Sequence, residues 1–210
     1  VASPASGAAQ SDYDFQMGDD TTSGGSDEPL HVGTPTGGHG NAYWNMGVGI
    51  TYFRTPSRTT FTDSMHKAGA AFTFVIVLQA LKTDRQRYFN TLGSSPGVSL
   101  LVEGGSINMY INGSFIETGP TFNSNKNFLA FAVEEGGGSV SKYRLNDVEH
   151  TFSASYGTTG QSVWLPTIGF QGSGSAVQRS YIKATIMYNR RLTSAELDTL
   201  YNHFVSRGYL

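Results

Sequence analysis

Residues 180–204 read SYIKATIMYNRRLTSAELDTLYNHF and join a strand pattern to a helix pattern. Thr193 and Glu196 have the spacing of a capping box, in which each side chain bonds to the backbone N–H of the other residue. Leu192 and Leu197 flank that box as a hydrophobic staple. The apolar residues that follow recur at i, i+3, i+4 and i+7, which places them on one helix face: Leu197, Leu200, Tyr201 and Phe204. The stretch predicts a closing strand followed by one short amphipathic helix.

Two segments with different strand patterns are predicted to contribute to the core. In the closing strand, alternation predicts one face for the core and one partly exposed to water. The first face would carry Ile182, Ala184, Ile186 and Tyr188, and the second Tyr181, Lys183, Thr185 and Met187. Residues 72–78 are instead apolar almost throughout, which is typical of a strand covered on both sides.

The closing segment YNRRLTSAEL, at 188–197, resembles the end of laminin G-like and concanavalin A-like domains. Four further segments resemble strands of the same fold, at 71–78, 107–111, 128–133 and 167–170. Two departures stand out: the tryptophan that usually heads the 128–133 strand is absent, and the usual asparagine-glycine turn reads Asn146-Asp147. The resemblance implies an all-β fold, an antiparallel jelly-roll sandwich with one short C-terminal helix near 194–206.

Composition agrees with many short strands and tight turns. The chain has 210 residues, of which 26 are glycine, 12% are aromatic and only 14% are charged. Asn112-Gly113 is the strongest hairpin signal, because a type I′ turn needs positive φ at both central positions. The chain has no cysteine, which excludes disulfides, zinc-thiolate sites and thiol nucleophiles. The longest apolar run, around 68–78, is shorter than the roughly 20 residues that span a bilayer.

Residues 1–30 differ from the rest in charge and are interpreted as an extended acidic arm before a sandwich domain at 31–210. The arm holds six carboxylates and no lysine or arginine, so its charge is −6, whereas the remainder has 14 basic and 16 − 6 = 10 acidic residues and a charge of +4. Such a segment buries too little apolar surface to fold alone. Tyr13, Phe15 and Met17 alternate within it, a pattern that favours addition to a sheet edge on the same body or on a partner.

Catalytic motifs are absent from the sequence. No nucleophile elbow, P-loop, dinucleotide fingerprint or H-E-x-x-H occurs. Glu134 and Glu135 are adjacent and would point to opposite faces of a strand, whereas sandwich glycosidases need two carboxylates on one face. The segment 181–184 resembles one strand motif of sandwich-fold alginate lyases, but the other two motifs of those enzymes are missing. We therefore predict that the protein is not an enzyme.

Metal and nucleic-acid sites have weak signals. The histidines show no ligand spacing. Laminin G-like domains often hold calcium, and Asn146 with Asp147 is the nearest candidate here. We predict no cofactor, with calcium at these two residues as the weak alternative. The basic residues of 82–89 are read as a loop between strands, since the near-neutral pI of 6.2 argues against a nucleic-acid partner.

Sugar recognition has better candidates, because it needs flat aromatic faces flanked by amides and hydroxyls. Tyr43, Trp44 and Asn45 supply that chemistry in a glycine-rich stretch, and Tyr156 with Trp164 supplies a second set. The alternative for both tryptophans is packing in or beside the core.

The sequence favours a non-enzymatic structural and binding protein of a bacteriophage or virus particle, as a capsid decoration or a tail or fibre component. The arm would dock it to other subunits or to copies of itself, and host glycans would be its ligands at the virion surface or outside the cell. The alternative is a bacterial extracellular carbohydrate-binding module or adhesin, and a polysaccharide lyase or glycoside hydrolase comes third.

Overall fold

The fold is known from a computed structural model that describes residues 16–17, 30–32, 43–45, 52–54, 63–80, 86–92, 96–103, 105–121, 125–136, 140–157, 160, 162, 166–169 and 180–210. Among these, no helix is both long and apolar enough to cross a membrane.

The described strands form two antiparallel sheets of seven strands each. Sheet A contains β1 (Gln16–Met17), β4 (Tyr52–Arg54), β6 (Gln86–Asn90), β7 (Val98–Glu103), β8 (Ser106–Ile111), β9 (Ser114–Thr121) and β13 (Thr167–Gly169), in the spatial order β1-β4-β13-β6-β7-β8-β9. Sheet B contains β2 (Leu30–Val32), β3 (Tyr43–Asn45), β5 (Ala71–Ala80), β10 (Lys126–Glu134), β11 (Ser141–Leu145), β12 (Val148–Phe152) and β14 (Ser180–Tyr188), in the order β12-β11-β10-β5-β14-β3-β2. The predicted antiparallel sandwich is confirmed.

The inner core lies between the two sheets. From sheet B it receives the alternate side chains of β5 and β10, namely Phe72, Phe74, Ile76, Leu78, Leu129, Phe131 and Val133. From sheet A it receives those of β7 and β8, namely Val98, Leu100, Val102, Ile107, Met109 and Ile111. All of these side chains are at most 1% exposed, so both sheets present one apolar face inward.

A second apolar cluster covers the outer face of sheet B. Val75, Val77, Phe128, Ala130 and Ala132 are buried there beneath α1 (Ser194–Ser206). The helix contributes the side chains predicted from its spacing, Leu197, Leu200, Tyr201 and Phe204. The central strand at 72–78 is thus covered on both sides, as its apolar sequence predicts.

The start of α1 is fixed by its cap and by β5. The Thr193 side chain accepts the Glu196 N–H, and the Glu196 carboxylate accepts the Thr193 N–H at 2.8 Å, so the predicted capping box is confirmed. Arg190 pairs with Glu196 at 2.7 Å. The buried Thr73 hydroxyl donates to the Arg190 carbonyl and accepts the Leu192 N–H, which fixes the link between β14 and α1 to the sheet.

The predicted faces of β14 are wrong because the strand contains a bulge. The pairing with β5 shifts between Ile182 and Ala184, so that Lys183 is an extra residue. Before the bulge, Ile182 joins the inner core, while after it Ala184 and Ile186 pack in the cluster under α1 and Met187 turns to the inner side. One inserted residue moves every later side chain to the other face.

The predicted hairpin at Asn112-Gly113 is confirmed, with φ of 54° and 80° at the two positions. It joins β8 to β9, the edge strand of sheet A. Of the segment 82–89 that was predicted to be a loop, residues 86–89 belong to β6, so the prediction is wrong there, and residues 82–85 lie outside the described residues.

Leu197→Ala should lower the free energy of unfolding by about 2–5 kcal/mol, because it removes a fully buried side chain from the cluster between α1 and sheet B. Val205→Ala is the matched control on the same helix, since Val205 is 46% exposed and its truncation should change stability by less than about 0.5 kcal/mol. Urea unfolding measures both. Equal losses from the two variants would show that α1 is not packed on the sheet.

Glu196→Gln should destabilise the protein at neutral pH, and this loss of stability should become smaller as the pH falls. The side-chain hydrogen bond from Arg190 and the bonds from Thr193 lower the pKa of Glu196 to about 2 from 4.5. A lowered folded-state pKa gives stability that is present above the ordinary pKa and is lost as the pH falls toward the folded value. Thermal melts of both proteins between pH 7 and pH 2 test this. A difference in melting temperature that stayed constant down to pH 2 would contradict it.

Candidate functional site

The outer face of sheet A carries a row of side chains that crosses five strands. Register places Thr167 opposite Asn90, Asn90 opposite Ser99, Ser99 opposite Tyr110 and Tyr110 opposite Phe115. Residues directly opposite one another in antiparallel strands lie on the same face. We call these five residues the polar row.

The polar row faces away from the inner core. Ser99 lies between Val98 and Leu100, and both of these neighbours are inner-core residues. Tyr110 likewise lies between Met109 and Ile111. Because successive residues of a strand alternate between its faces, Ser99 and Tyr110 point outward from the sandwich.

A bulge in β6 brings an arginine to the same face. The pairing with β7 shifts between Arg87 and Phe89, so Tyr88 is the extra residue. In a regular strand of the same sequence, Arg87 and Asn90 would be three residues apart and would therefore lie on opposite faces. The guanidinium Nη1 of Arg87 instead donates to Asn90 Oδ1 at 3.3 Å.

Two buried polar groups of the row have no hydrogen-bond partner. Asn90 is 0% exposed and Ser99 is 1% exposed, and neither Asn90 Nδ2 nor Ser99 Oγ has a partner. An unsatisfied buried donor or acceptor costs about 1–3 kcal/mol. Two such groups at paired positions of one face therefore have hydrogen-bonding capacity that folding leaves unused.

The other end of the row is aromatic and carries one exposed ring. The rings of Tyr110 and Phe115 meet edge to face with centroids 5.6 Å apart, and Phe115 is 51% exposed. The Tyr110 hydroxyl donates to Glu103 Oε2 at 3.3 Å, which fixes the ring. Phe115 is exposed and Tyr110 is half-buried, so this end of the row offers an aromatic face next to polar groups. Such a combination suits a ligand that is polar along one side and apolar on another.

The sequence-predicted residues Tyr43, Trp44 and Asn45 lie in the other sheet. They form β3, where register places Trp44 opposite Ile182 and Asn45 opposite Tyr181. Their backbone positions are described and their side chains are not. The structure thus separates them from the polar row.

Tyr156 is partly buried and packs against the inner core. Its buried hydroxyl has no hydrogen-bond partner, and burial together with the Glu135 carboxylate raises its pKa. The following segment is anchored by His66, whose Nε2 donates to the Gly160 carbonyl at 2.9 Å, and by Asp63, which accepts the Ser162 N–H at 2.8 Å. Trp164, which the sequence analysis groups with Tyr156 as a glycan-binding candidate, is outside the described residues.

The proposed calcium residues belong to the turn between β11 and β12. Asn146 has a φ of 56°, its Oδ1 accepts the Phe128 N–H at 2.9 Å, and its Nδ2 donates to Asn127 Oδ1 at 3.2 Å. These bonds explain Asn146 as a structural residue. In the described parts of the chain, no group of three histidine or acidic side chains could hold a metal, and calcium binding at Asn146 and Asp147 stays a prediction.

The segment 181–184, which resembles a strand motif of alginate lyases, lies in β14 of sheet B. Lys183 is the bulge residue of β14, and its Nζ lies 6.0 Å from the centre of the Tyr209 ring. Burial lowers the pKa of Lys183, and the charge of Lys126 lowers it further.

Glu134, one of the two adjacent acidic residues of β10, pairs with Arg191 at 2.5 Å. Its carboxylate is therefore part of an ion pair beside the start of α1.

Of the arm, the structure describes Gln16, Met17 and Leu30. Gln16 and Met17 form β1, which pairs with Arg54 and Phe53 of β4 in the same chain. Tyr13 and Phe15, the predicted docking side chains, are outside the described residues, as is the Met17 side chain. The division into arm and domain therefore stays a prediction.

Solved structures share this sandwich at low sequence identity. The binding domain of botulinum neurotoxin DC in complex with SialylT has a TM-score of 0.64 at 7% identity, over 90% of this chain and 46% of that chain. A structure of botulinum neurotoxin type C, whose cell entry depends on two ganglioside molecules, has a TM-score of 0.62 at 9% identity, over 91% and 47%. A mutant Trypanosoma rangeli sialidase displaying trans-sialidase activity has a TM-score of 0.55 at 14% identity, over 83% and 29%.

These likenesses show the fold, a lectin-like jelly-roll sandwich, as the resemblance to concanavalin A-like domains implies. The chain spans less than half the length of the three similar chains. No protein-family model matches the chain, and no curated protein sequence matches it.

Ser99→Ala should leave the free energy of unfolding unchanged or slightly raised, because it removes a buried hydroxyl that has no partner. Ser141→Ala is the matched control in sheet B. The Ser141 hydroxyl accepts the Glu134 N–H at 2.9 Å and donates to the Glu134 carbonyl at 3.1 Å, so its loss should cost about 1–3 kcal/mol. Chemical denaturation compares the two. A loss at Ser99 as large as that at Ser141 would mean that Ser99 is needed for the fold.

Proposed function

We propose that this protein is a non-enzymatic carbohydrate-binding domain and that the polar row is its binding surface. The observation that carries the proposal is the placement of Asn90 Nδ2 and Ser99 Oγ, two buried polar atoms without partners, in register with the aromatic pair Tyr110 and Phe115. A pyranose has hydroxyls around its edge and an apolar face, so it matches a polar base and an aromatic rim.

The comparisons support this proposal at the level of fold. The similar structures include a neurotoxin whose cell entry depends on two ganglioside molecules and a sialidase mutant with trans-sialidase activity. Fold alone does not transfer function, so the proposal depends on the side chains of the row. The two sequence-predicted sets, Tyr43 with Trp44 and Asn45, and Tyr156 with Trp164, are the rival sites.

We propose further that residues 1–30 attach the domain to a larger assembly. A bacteriophage or virus particle is the first candidate, and a bacterial cell surface or secreted protein is the second. The support is compositional: the acidic arm carries Tyr13 and Phe15, which can each bury roughly 150–250 Å² in a partner. Both settings would use the same binding surface toward glycans.

Phe115→Ser should weaken glycan binding about threefold to tenfold, because stacking on an aromatic ring contributes about 0.5–1.5 kcal/mol. Val148→Ser is the matched control, since Val148 is 49% exposed and also lies on an edge strand, but in sheet B. A glycan microarray identifies saccharides that the unmodified protein binds, and calorimetry with the best of them compares the variants. The proposal fails if no saccharide is bound, or if Val148→Ser weakens binding as much as Phe115→Ser.

A photoreactive phenylalanine analogue at position 13 should crosslink to another polypeptide in the native assembly, because the arm is proposed to dock on a partner. The same analogue at position 148, on the edge of sheet B, is the control. Mass spectrometry identifies the crosslinked peptides. Crosslinks from position 13 to this chain alone would contradict attachment through the arm and would leave glycan binding untouched.

A further inference from the structure

The edges of the two sheets differ in how well they are protected from pairing with another strand. Natural proteins protect an edge by making it short or by placing bulges, proline or lysine in it. Of the edge strands, β1 and β2 have two and three residues, and β9 contains Pro120 and two register shifts against β8. β12 has five residues, pairs with β11 without a shift and contains neither proline nor lysine. Among the described strands, β12 is therefore the least protected edge.

The backbone groups of Glu149 and Thr151 point outward at this edge. The Asn146 N–H donates to a carbonyl of β10 at 2.8 Å, so its neighbour Leu145 faces β12, because successive residues of a strand bond to opposite sides. Leu145 is opposite Val148, so Val148 and every second residue after it face back toward β11. Glu149 and Thr151 lie between those residues, and their N–H and C=O groups are therefore directed away from the sheet.

The side chains of β12 leave these backbone groups accessible. His150 stacks on Tyr143 with ring centres 5.0 Å apart, so its ring is drawn toward β11 and away from the edge. Glu149 is drawn the same way, because its carboxylate accepts a hydrogen bond from Lys142 Nζ at 2.8 Å. Three of the five residues are exposed, namely Val148, His150 and Thr151.

The sequence of β12 is complementary to itself about His150. If two copies pair antiparallel with a two-fold axis at His150, Val148 lies opposite Phe152 and Glu149 lies opposite Thr151. Apolar side chains then meet each other, and each carboxylate meets a hydroxyl. An axis at Glu149 would instead place two carboxylates directly opposite each other, which destabilises a strand pair. An axis at Thr151 would pair Glu149 with a residue beyond the end of β12.

We propose that β12 pairs with β12 of a second copy of this chain about a two-fold axis at His150 and joins two copies of sheet B into one continuous sheet. The outward backbone groups of Glu149 and Thr151 are satisfied by those of the second copy. One pair of five-residue strands is a small contact, so the dimer should dissociate on dilution. Because the contact lies on sheet B, it leaves the polar row of sheet A open and is independent of the proposed function.

A single introduced cysteine tests the contact, because the chain has no cysteine of its own. His150→Cys should give a disulfide-linked dimer on mild oxidation. The two copies of position 150 form a non-hydrogen-bonded pair with Cα atoms about 4.5 Å apart, and a disulfide spans about 4.4–6.8 Å. Val148→Cys is the matched control on the same strand, since its two copies lie four residues apart, about 14 Å, and should stay unlinked. Non-reducing electrophoresis compares the two. Equal linking at both positions, or none at position 150, would overturn the proposal.

Sedimentation over a series of concentrations should show the unmodified protein in a monomer–dimer equilibrium. His150→Lys places two ammonium groups opposite each other at the axis and should weaken the dimer at least about threefold. His203→Lys is the control, because it makes the same change at an exposed position of α1 and should leave the equilibrium unchanged. A protein that stays monomeric at every concentration, or equal weakening by the two variants, would contradict pairing through β12.

The contact also predicts what the photoreactive analogue at position 148 should capture. It should link to peptides of this chain that contain Phe152, whereas attachment through the arm predicts a different polypeptide at position 13. Links from position 148 to a different polypeptide would assign the edge of β12 to another partner and overturn the proposed dimer.

Discussion

The central strands β5 and β10 have apolar side chains on both faces, and sheet B therefore needs cover on both. Sheet A covers one face and α1 covers the other, where Val75, Val77 and Phe128 are completely buried. The helix can be placed there because Thr73 holds the link that precedes it and the capping box starts it at a fixed position. Burial of the outer face of β5 thus determines where the chain goes after its last strand.

That arrangement gives the two sheets different outer surfaces. On sheet B, the face beneath α1 is tied to the helix by charged side chains: Arg144 pairs with Asp198 at 2.5 Å and lies 5.0 Å from the centre of the Tyr201 ring, and Lys142 donates to Ser194. On sheet A, the outward side chains of β6, β7 and β8 include an arginine, an asparagine, a serine and a tyrosine. Sheet B also has buried polar atoms without partners, at Glu149 of β12 and Thr185 of β14. We assign binding to sheet A because its two such atoms, Asn90 Nδ2 and Ser99 Oγ, are in register with the aromatic pair Tyr110 and Phe115.

The fold could be predicted from the sequence because its signals are local. The capping box at Thr193, the turn at Asn112 and the two-sided strand at 72–78 each depend on residues within a few positions of one another, and the structure confirms all three. The closing segment also resembles known sandwich domains. The faces of β14 could not be predicted, since Lys183 has no sequence feature that marks it as a bulge.

The polar row could not be predicted because it depends on pairing between distant strands. Thr167 and Asn90 are neighbours only through the register of β13 with β6, and Arg87 reaches the row only through the bulge at Tyr88. Alternation in β8 does place Tyr110 on one face with Ser106 and Asn108, whereas in β7 Ser99 has the apolar Leu101 beside it on the same face. The sequence favours instead the segments that contain Trp44 and Trp164, because residue type alone suggests sugar binding there and no knowledge of strand pairing is needed.

Amide chemical-shift mapping of the isotope-labelled protein, titrated with an oligosaccharide that it binds, tests the central claim most directly. The account predicts that the largest changes fall on β6, β7 and β8, around Asn90, Ser99 and Tyr110, with little change along β3 or near Tyr156. Changes concentrated at Tyr43, Trp44, Asn45 and Tyr156, with β6 to β8 unaffected, would contradict it and assign binding to the surface that the sequence alone suggests.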